Sequence, residues 1–192
     1  MTTRAVGLVV VGCSWGGLFA LERMLPTVPG RVRAPIVIAQ HRAAQTSLLA
    51  SLLGRHTTRP VTEAEDKEAI GPDRVYLAPP DYHLLVEPGH FALSTEGPVR
   101  YSRPSIDALF ESAADAYAGD LVAVVLTGAN DDGADGARAV ARRGGRVVVQ
   151  DPDTAERAIR PAAALAAVPD ATVLPVERIG SWLADLWREV SA

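Results

Sequence analysis

The stretch Leu8-Val9-Val10-Val11-Gly12-Cys13-Ser14-Trp15-Gly16-Gly17 predicts a buried β-strand that ends in a sharp turn and continues into a helix. Its spacing Gly12-x-Ser14-x-Gly16 matches the nucleophile-elbow pattern, in which small neighbours let the chain lift a serine clear of a sheet. Backbone N–H groups at the start of the next helix would then face any negative charge that develops near the serine. At this point a glycine-rich turn that binds a phosphate, or that merely connects two elements, is the alternative.

Composition limits the kind of protein to which this turn can belong. The chain has 192 residues, of which 48% are hydrophobic and 5% aromatic, so it can form one sizeable core, and we expect a single domain over residues 1–192. The net charge is −4 and no basic cluster occurs, which argues against nucleic-acid binding. Cys13 is the only cysteine, so no intrachain disulfide can form. The N-terminus lacks signal-peptide features and no run of about 18 apolar residues occurs, so we expect a cytoplasmic protein without membrane insertion.

Hydrophobic and turn patterns predict that strands alternate with helices along most of the chain. Strands are expected at 5–11, 35–40, 121–126, 146–150 and 172–176, and helices at 18–25, 46–53, 105–117, 134–143, 155–167 and 179–190, with Ser105 as an N-cap. Three short alternating runs at 74–78, 83–87 and 90–94 suggest antiparallel pairing, and 63–69 is expected to form a surface loop or irregular edge. The predicted fold is therefore α/β and doubly wound, with a mostly parallel sheet, helices on both faces and a small antiparallel excursion at about 74–95.

Polar side chains with complementary chemistry follow three of these strands. Ser14 follows the first, His41 the second, and the pair Asp131-Asp132 the third, and functional residues of such sheets gather beyond the carboxyl ends of the strands. A serine hydroxyl needs a base to take its proton, and an imidazole base needs an acid to orient it. Each residue alone has a plainer interpretation as a surface or turn residue. Metal binding by the two aspartates and His41 is a weaker alternative, because no helix supplies paired ligands.

The order of these residues along the chain separates this sequence from common esterases. The order here is serine, histidine, aspartate, whereas α/β-hydrolases have the histidine last, so a lipase-like enzyme is disfavoured. Five motifs occur in order over nearly the whole chain: Gly12-Cys13-Ser14-Trp15-Gly16-Gly17, Gln40-His41, Tyr76-Leu77-Ala78-Pro79, Arg103-Pro104-Ser105-Ile106-Asp107-Ala108-Leu109-Phe110, and Leu126-Thr127-Gly128 followed by Asp132-Gly133. Together they resemble the catalytic domain of the CheB family of chemotaxis protein-glutamate methylesterases.

The resemblance implies an enzyme that hydrolyses glutamate γ-methyl esters on chemoreceptor helices and, as in many members, deamidates glutamine. It implies that Ser14 is the nucleophile, that His41 is the general base and then acid, and that Asp132 orients His41. Backbone N–H groups around Trp15 and in the loop Gly128-Ala129 are candidates for binding the oxyanion. Neither a metal nor an organic cofactor is implied.

The sequence departs from the family pattern at several positions. Trp15 stands where threonine is usual, and Ala129 and Arg160 stand where methionine is usual. Asp131 adds a carboxylate that could compete with Asp132 for His41. The receiver domain that precedes the catalytic domain in chemotaxis members does not occur in this sequence, so we expect no phosphorylation control through it. A separate receiver-domain protein is a candidate partner.

Two other classes of function remain as alternatives to the enzyme. A phosphate- or nucleotide-binding module is possible at the turn 12–17, but the dinucleotide spacing and the Walker lysine are missing. A catalytically silent CheB-like protein could use the groove to hold a helix. Trp15 can wall that groove or stack on an incoming helix, and we expect the first role, so that Trp15→Thr would increase hydrolysis of methylated receptors. We expect Cys13 to be a small core residue that could report on the site by alkylation, and we assign no role to His56, His83 or His90.

Overall fold

The computed structural model describes residues 6–41 and 48–191, with side chains as far as residue 187. In these ranges the strands are β1 (Leu8–Cys13), β2 (Ile36–Gln40), β3 (Val61–Glu63), β4 (Val75–Leu77), β5 (His83–Glu87), β6 (His90–Ser94), β7 (Leu121–Val125), β8 (Arg146–Gln150) and β9 (Thr172–Leu174). The α-helices are α1 (Gly17–Met24), α2 (Leu49–Leu53), α3 (Ile106–Tyr117), α4 (Ala134–Arg142), α5 (Ile159–Ala167) and α6 (Val176–Ser191). None of the helices within the described residues is long and apolar enough to cross a membrane.

A seven-stranded parallel sheet with the order β3-β4-β2-β1-β7-β8-β9 organises the molecule. β1 lies at its centre, where Val11 pairs with Ile38 of β2 on one side and with Val124 of β7 on the other. The chain first builds the half beyond β1, where β3 takes the edge and β4 lies between β3 and β2, and then builds the other half outward from β7. The order of strands therefore reverses between β1 and β7, and a crevice forms at the carboxyl ends of such neighbouring strands.

Two hydrophobic cores lie on opposite faces of this sheet, as alternating side chains of a strand require. Val9 and Val11 of β1 belong to the core that α1, α2 and α6 cover, whereas Leu8 and Val10 belong to the core that α3, α4 and α5 cover. Because helices cover both faces, the central strands are buried along their whole length, which explains their continuous runs of valine, isoleucine and leucine. The predicted doubly wound α/β fold is confirmed.

The antiparallel part of the structure is smaller than predicted, because the run 74–78 does not belong to it. β5 and β6 form the expected two-stranded antiparallel hairpin, but β4 joins the parallel sheet beside β2. An edge strand that we did not predict, β3, pairs in parallel with β4. Strands of three residues are too short for their hydrophobic pattern to distinguish parallel from antiparallel pairing.

Several predicted boundaries move once tertiary contacts are present. β1 continues through Gly12 and Cys13 instead of ending at Val11, and α6 begins at Val176, three residues before the predicted start. α5 begins at Ile159 rather than 155, which places Pro161 in its first turn, where the missing N–H breaks no helical hydrogen bond. The predicted helix over 46–53 is observed as α2 from Leu49, and its first two predicted residues lie outside the described ranges.

Gly12 allows helix α3 to approach the end of β1 closely. A Cβ atom at this position would overlap the side chain of Ile106, the first residue of α3. The N-terminus of α3 therefore reaches the carboxyl edge of the sheet, next to the residue that follows β1.

Cys13 faces the core beside α1 and has no exposed surface. Burial raises the pKa of its thiol to about 12, and the thiolate is the reactive form of cysteine. Our expectation that this sulfur could report on the site by alkylation is therefore wrong for the folded protein.

We predict that the native protein resists iodoacetamide at pH 8, whereas the urea-unfolded protein is alkylated at Cys13. Mass spectrometry measures the modification without ambiguity, because the chain has one cysteine. Rapid alkylation of the native protein under the same conditions would contradict the buried position of this side chain.

Candidate active site

Ser14 and His41 lie side by side at the carboxyl edge of the sheet. The Ser14 N–H donates to the carbonyl oxygen of Thr127 at 3.0 Å, which ties the end of β1 to the end of β7. The His41 N–H donates to the carbonyl oxygen of Cys13 at 3.1 Å, which ties the end of β2 to β1. Gly16 takes the left-handed conformation with φ of 76° and completes the turn into α1. The elbow predicted from the sequence thus holds Ser14 at the switch point of the sheet.

Asp132 binds His41 and at the same time caps α3. The distance between His41 Nε2 and Asp132 Oδ2 is 2.6 Å. The carboxylate is fully buried and accepts further hydrogen bonds from the Ser105 hydroxyl (3.0 Å), the Ile106 N–H (2.8 Å) and the Asp107 N–H (3.0 Å). The first N–H groups of a helix have no partner inside the helix and favour a negative charge. Asp132 therefore both contacts the imidazole of His41 and caps α3.

These contacts keep Asp132 ionised. Burial by itself raises the pKa of a carboxyl group, but the hydrogen bonds from His41 and from the N–H groups of Ile106 and Asp107 outweigh it and lower the pKa of Asp132 to about 2. An ionised carboxylate only accepts hydrogen bonds, so Nε2 of His41 must carry a proton and donate it.

The other ring nitrogen of His41, Nδ1, is consequently an acceptor while the imidazole is neutral. The Ser102 hydroxyl lies 3.2 Å from Nδ1, and Nη2 of Arg160 lies 3.3 Å from it. Among the described residues, the hydroxyl of Ser14 has no hydrogen-bond partner, although its backbone adjoins that of His41. The nitrogen that could accept a proton from a serine is therefore Nδ1, and two polar groups from other parts of the chain already contact it.

A second buried carboxylate, Asp107, mirrors the first. Asp107 lies in the first turn of α3 and its Oδ1 accepts the N–H groups of Gly133 (2.9 Å) and Gly136 (2.7 Å) at the start of α4. Burial raises the pKa of this carboxyl to about 6. Asp132, which precedes α4, caps α3, while Asp107 of α3 caps α4. The two helices are thus joined by an exchange of capping carboxylates.

Asp131 does not compete for His41. Nη1 of Arg100 contacts Asp131 Oδ2 at 2.5 Å, and the same guanidinium contacts Asp107 and Asp135. Asp131 points to the surface, whereas Asp132 points to His41, so the three proposed metal ligands do not converge. No group of three or more histidine, cysteine, aspartate or glutamate residues within the described ranges could hold a metal ion.

The candidate oxyanion donors do not all have a free N–H. The Gly128 N–H donates to the carbonyl oxygen of Arg157 at 3.0 Å, so it cannot bind an oxyanion in this arrangement. The N–H groups of Trp15 and Ala129 have no acceptor among the described residues. Trp15 lies on the turn after β1 and Ala129 on the loop after β7.

Trp15, next to Ser14 in the chain, has an exposed ring. Its indole Nε1–H donates to Glu156 at 2.7 Å, and the Arg157 guanidinium lies 5.4 Å from its ring centre. The ring nevertheless remains 59% exposed, and Phe19 on the first turns of α1 is 61% exposed. Two aromatic rings held at the rim of the site offer an apolar surface to a large substrate.

The sequence assigned no individual role to four residues that lie around the site. Ser102 and Arg100 come from the segment between β6 and α3, for which no hydrophobic pattern predicts a position. Thr127 links the turn of Trp15 to the segment before α5 through its hydroxyl. His83, to which we assigned no role, is buried, with Nε2 3.0 Å from the Gly97 carbonyl oxygen and Nδ1 accepting the Ser105 N–H at 3.1 Å. In the sequence, His83 is distinguished only by its position at the start of the predicted strand 83–87.

A doubly wound parallel sheet with serine, histidine and aspartate side chains beyond its central strands fits the class of serine hydrolases. A comparison with protein families matches residues 9–183 to the CheB methylesterase model. The chain belongs to the CheB methylesterase family.

Individual relatives agree with this assignment. A putative protein-glutamate methylesterase/protein-glutamine glutaminase of Leptospira interrogans is 44% identical over 173 residues, which is 89% of this chain and 90% of that protein. Protein-glutamate methylesterase/protein-glutamine glutaminase 1 of Paramagnetospirillum magneticum is 38% identical over 96% of this chain, which spans 50% of that relative. The crystal structure of the Thermotoga maritima CheB methylesterase catalytic domain matches 95% of this chain and 100% of its own, with a TM-score of 0.90 and 34% identity.

The capping role of Asp132 predicts a pH-dependent loss of stability in the Asp132→Asn variant. The pKa of this carboxyl is about 2 in the folded protein and 3.8 ordinarily, so its ionisation stabilises the fold above pH 3.8 and this contribution disappears as the pH falls toward 2. We expect Asp132→Asn to lower the free energy of unfolding by about 2 kcal/mol at pH 7, with a smaller difference from the parent at pH 3.

Chemical denaturation at the two pH values measures this difference. Asp131→Asn is the matched control, because this side chain is 53% exposed and its pair with Arg100 lies at the surface, so a change below about 1 kcal/mol is expected. Equal destabilisation by both substitutions would show that the α3 cap does not depend on Asp132.

Proposed function

We propose that Ser14, His41 and Asp132 form the catalytic triad of a protein-glutamate methylesterase, and that residues 1–192 form one catalytic domain. The 2.6 Å contact between His41 Nε2 and Asp132 carries the proposal. It commits the ionised aspartate to one ring nitrogen and leaves the other, Nδ1, as the base. The continuity of one parallel sheet from β1 to β9 supports a single domain.

The mechanism follows from this tautomer. Nδ1 takes the proton of the Ser14 hydroxyl while its oxygen attacks the ester carbonyl, and Asp132 stabilises the imidazolium that forms. The N–H groups of Trp15 and Ala129 are the proposed donors to the oxyanion that forms during attack. The Nδ1 proton passes to the leaving methoxide, methanol departs, and water hydrolyses the acyl-enzyme by the same route.

In the resting arrangement Nδ1 is occupied by the Ser102 hydroxyl. Ser14 must therefore replace Ser102 on the base before attack, which requires side-chain rotation between staggered rotamers. Because the hydroxyl of Ser102 also lies next to the base, Ser102 is a competing candidate for the nucleophile. A test that separates the two serines identifies the nucleophile.

The proposed substrate is a methylated glutamate side chain on a chemoreceptor-like helix in the cytoplasm. The relatives' names pair methylesterase with glutaminase, which supports glutamine deamidation as a second reaction of the same acyl-enzyme. The exposed Trp15 and Phe19 supply an apolar rim for such a helix. A separate receiver-domain protein is a candidate regulatory partner, and the net charge of −4 gives no reason to include nucleic acid.

The nucleophile is tested by labelling the protein with an activated phosphonate and locating the adduct by mass spectrometry. We expect the adduct on Ser14, and we expect Ser14→Ala to lose both the label and ester hydrolysis, by about 10³-fold or more. Ser102→Ala is the control and should keep most of the activity. An adduct on Ser102 would overturn the assignment of the nucleophile, and no adduct together with no methanol release would favour a catalytically silent protein that only holds a helix.

Trp15 is expected to affect large substrates alone. From the sequence we expected this residue to wall the groove, but its exposed ring, held by Glu156, favours stacking on an incoming helix. Trp15→Thr should then raise KM for a methylated receptor helix by about 10-fold, because buried aromatic anchors dominate such contacts. Hydrolysis of a small activated ester should hardly change. Faster hydrolysis of the receptor helix by this variant would instead support the walling role.

A further inference from the structure

Arg160 is a fully buried arginine beneath the loop that carries Asp132. It lies in the first turn of α5 and has no exposed surface. Nε donates to the carbonyl oxygen of Asp132 at 2.8 Å, Nη1 donates to that of Thr127 at 3.1 Å, and Nη2 donates to the side-chain oxygen of Asn130 at 2.5 Å. One guanidinium thus binds the loop at its beginning, middle and end.

The same guanidinium reaches the base. Nη2 of Arg160 lies 3.3 Å from Nδ1 of His41. Gly128, within the same loop, leaves the space that Arg160 fills, because a Cβ atom there would overlap the guanidinium. The backbone of Gly128 also accepts the Arg160 N–H at 3.0 Å. The loop, the base and this arginine are therefore packed as one unit.

Burying a cation is costly, and a well-packed apolar side chain often serves stability as well or better. Burial lowers the pKa of the Arg160 guanidinium, whereas the nearby Asp132 and Asp107 carboxylates oppose this shift, and arginine stays protonated in proteins. An apolar side chain could not supply the hydrogen bonds that the guanidinium of Arg160 donates. The planar donors of the guanidinium fix three acceptors at set directions, which a side chain of the same volume without donors cannot do.

We propose that Arg160 is a positioning residue that holds the Thr127–Asp132 loop and the Nδ1 edge of His41 in the geometry required for attack by Ser14. The inference rests on the proposed function. Because Arg160 has no exposed surface, it does not touch substrate. Its effect on catalysis acts through the loop and His41. An Nη2–H group can point at Nδ1 only while Nδ1 has no proton, so this contact, like that of the Ser102 hydroxyl, ends when Nδ1 takes the proton of Ser14.

The second buried arginine of the described chain, Arg59, provides a matched control. Its guanidinium also donates to two backbone carbonyl oxygens, those of Val32 and Ala34. These residues precede β2, so Arg59 lies at the amino ends of the strands, on the edge opposite the site. Both arginines tie loops to the sheet, but only one is next to the base.

The test compares Arg160→Met, Arg160→Ala and Arg59→Ala on a small activated ester, with circular dichroism to confirm folding. We expect Arg160→Met to lower kcat by about 10²-fold, the cost of a misplaced catalytic group, while KM hardly changes. Guanidinium chloride at non-denaturing concentration should restore part of the kcat of Arg160→Ala by entering the vacated space. Arg59→Ala should lose stability without losing kcat, and added guanidinium should not raise its activity.

A folded Arg160→Met protein with the parent kcat would overturn the proposal, as would equal guanidinium effects on both alanine variants. Should neither Arg160→Met nor Arg160→Ala fold, Arg160→Lys decides. Lysine keeps the charge but cannot span the Thr127, Asn130 and His41 acceptors together, so a lowered kcat is expected and an unchanged kcat would contradict the positioning role. Failure of the phosphonate to label Ser14 in the parent protein is a separate result, which overturns the proposed nucleophile instead.

Discussion

The active site depends on one buried carboxylate at the start of a helix. Asp132 receives two backbone N–H groups and one hydroxyl from the first turn of α3, and its remaining contact is the imidazole of His41. Without the helix N-terminus, a buried charge of this kind would be too costly to keep ionised. Asp107 repeats the arrangement for α4, so moving either carboxylate would leave the first N–H groups of a helix unpaired. The packing of two helices thus fixes the orientation of the base.

This arrangement explains why the proposed triad lies at the centre of the sheet. β1 and β7 are neighbours at the switch point. The turn with Ser14 follows β1, and the loop with Asp132 follows β7. His41 follows β2, which pairs with the other side of β1. Ser14 and His41 directly follow β1 and β2, whereas Asp132 lies on the loop between β7 and α4, where its hydrogen bonds to the start of α3 fix its position. Trp15, beside Ser14, is by contrast largely exposed.

The features that the sequence predicted are those with a local signal. Runs of valine and isoleucine marked the central strands, and Ser105 was recognised as the N-cap of α3, whose hydroxyl accepts the Ala108 N–H. The features that it did not predict depend on partners distant in sequence. Nothing near Gly128 shows that its N–H is used by Arg157, and nothing near Asp131 shows that Arg100 draws it away from His41. Three-residue strands such as β4 likewise gain their pairing from the finished sheet.

The tautomer of His41 is the property that tests the proposed triad most directly, and ¹⁵N NMR of histidine-labelled protein measures it. Above the pH at which the imidazole is protonated, we expect the proton on Nε2, with a strongly downfield ¹H signal that is lost in Asp132→Asn, and an unprotonated Nδ1. Absence of the signals from His41→Gln assigns them among the four histidines. A neutral His41 with its proton on Nδ1 would contradict the account, because the nitrogen that must accept the serine proton would already carry one.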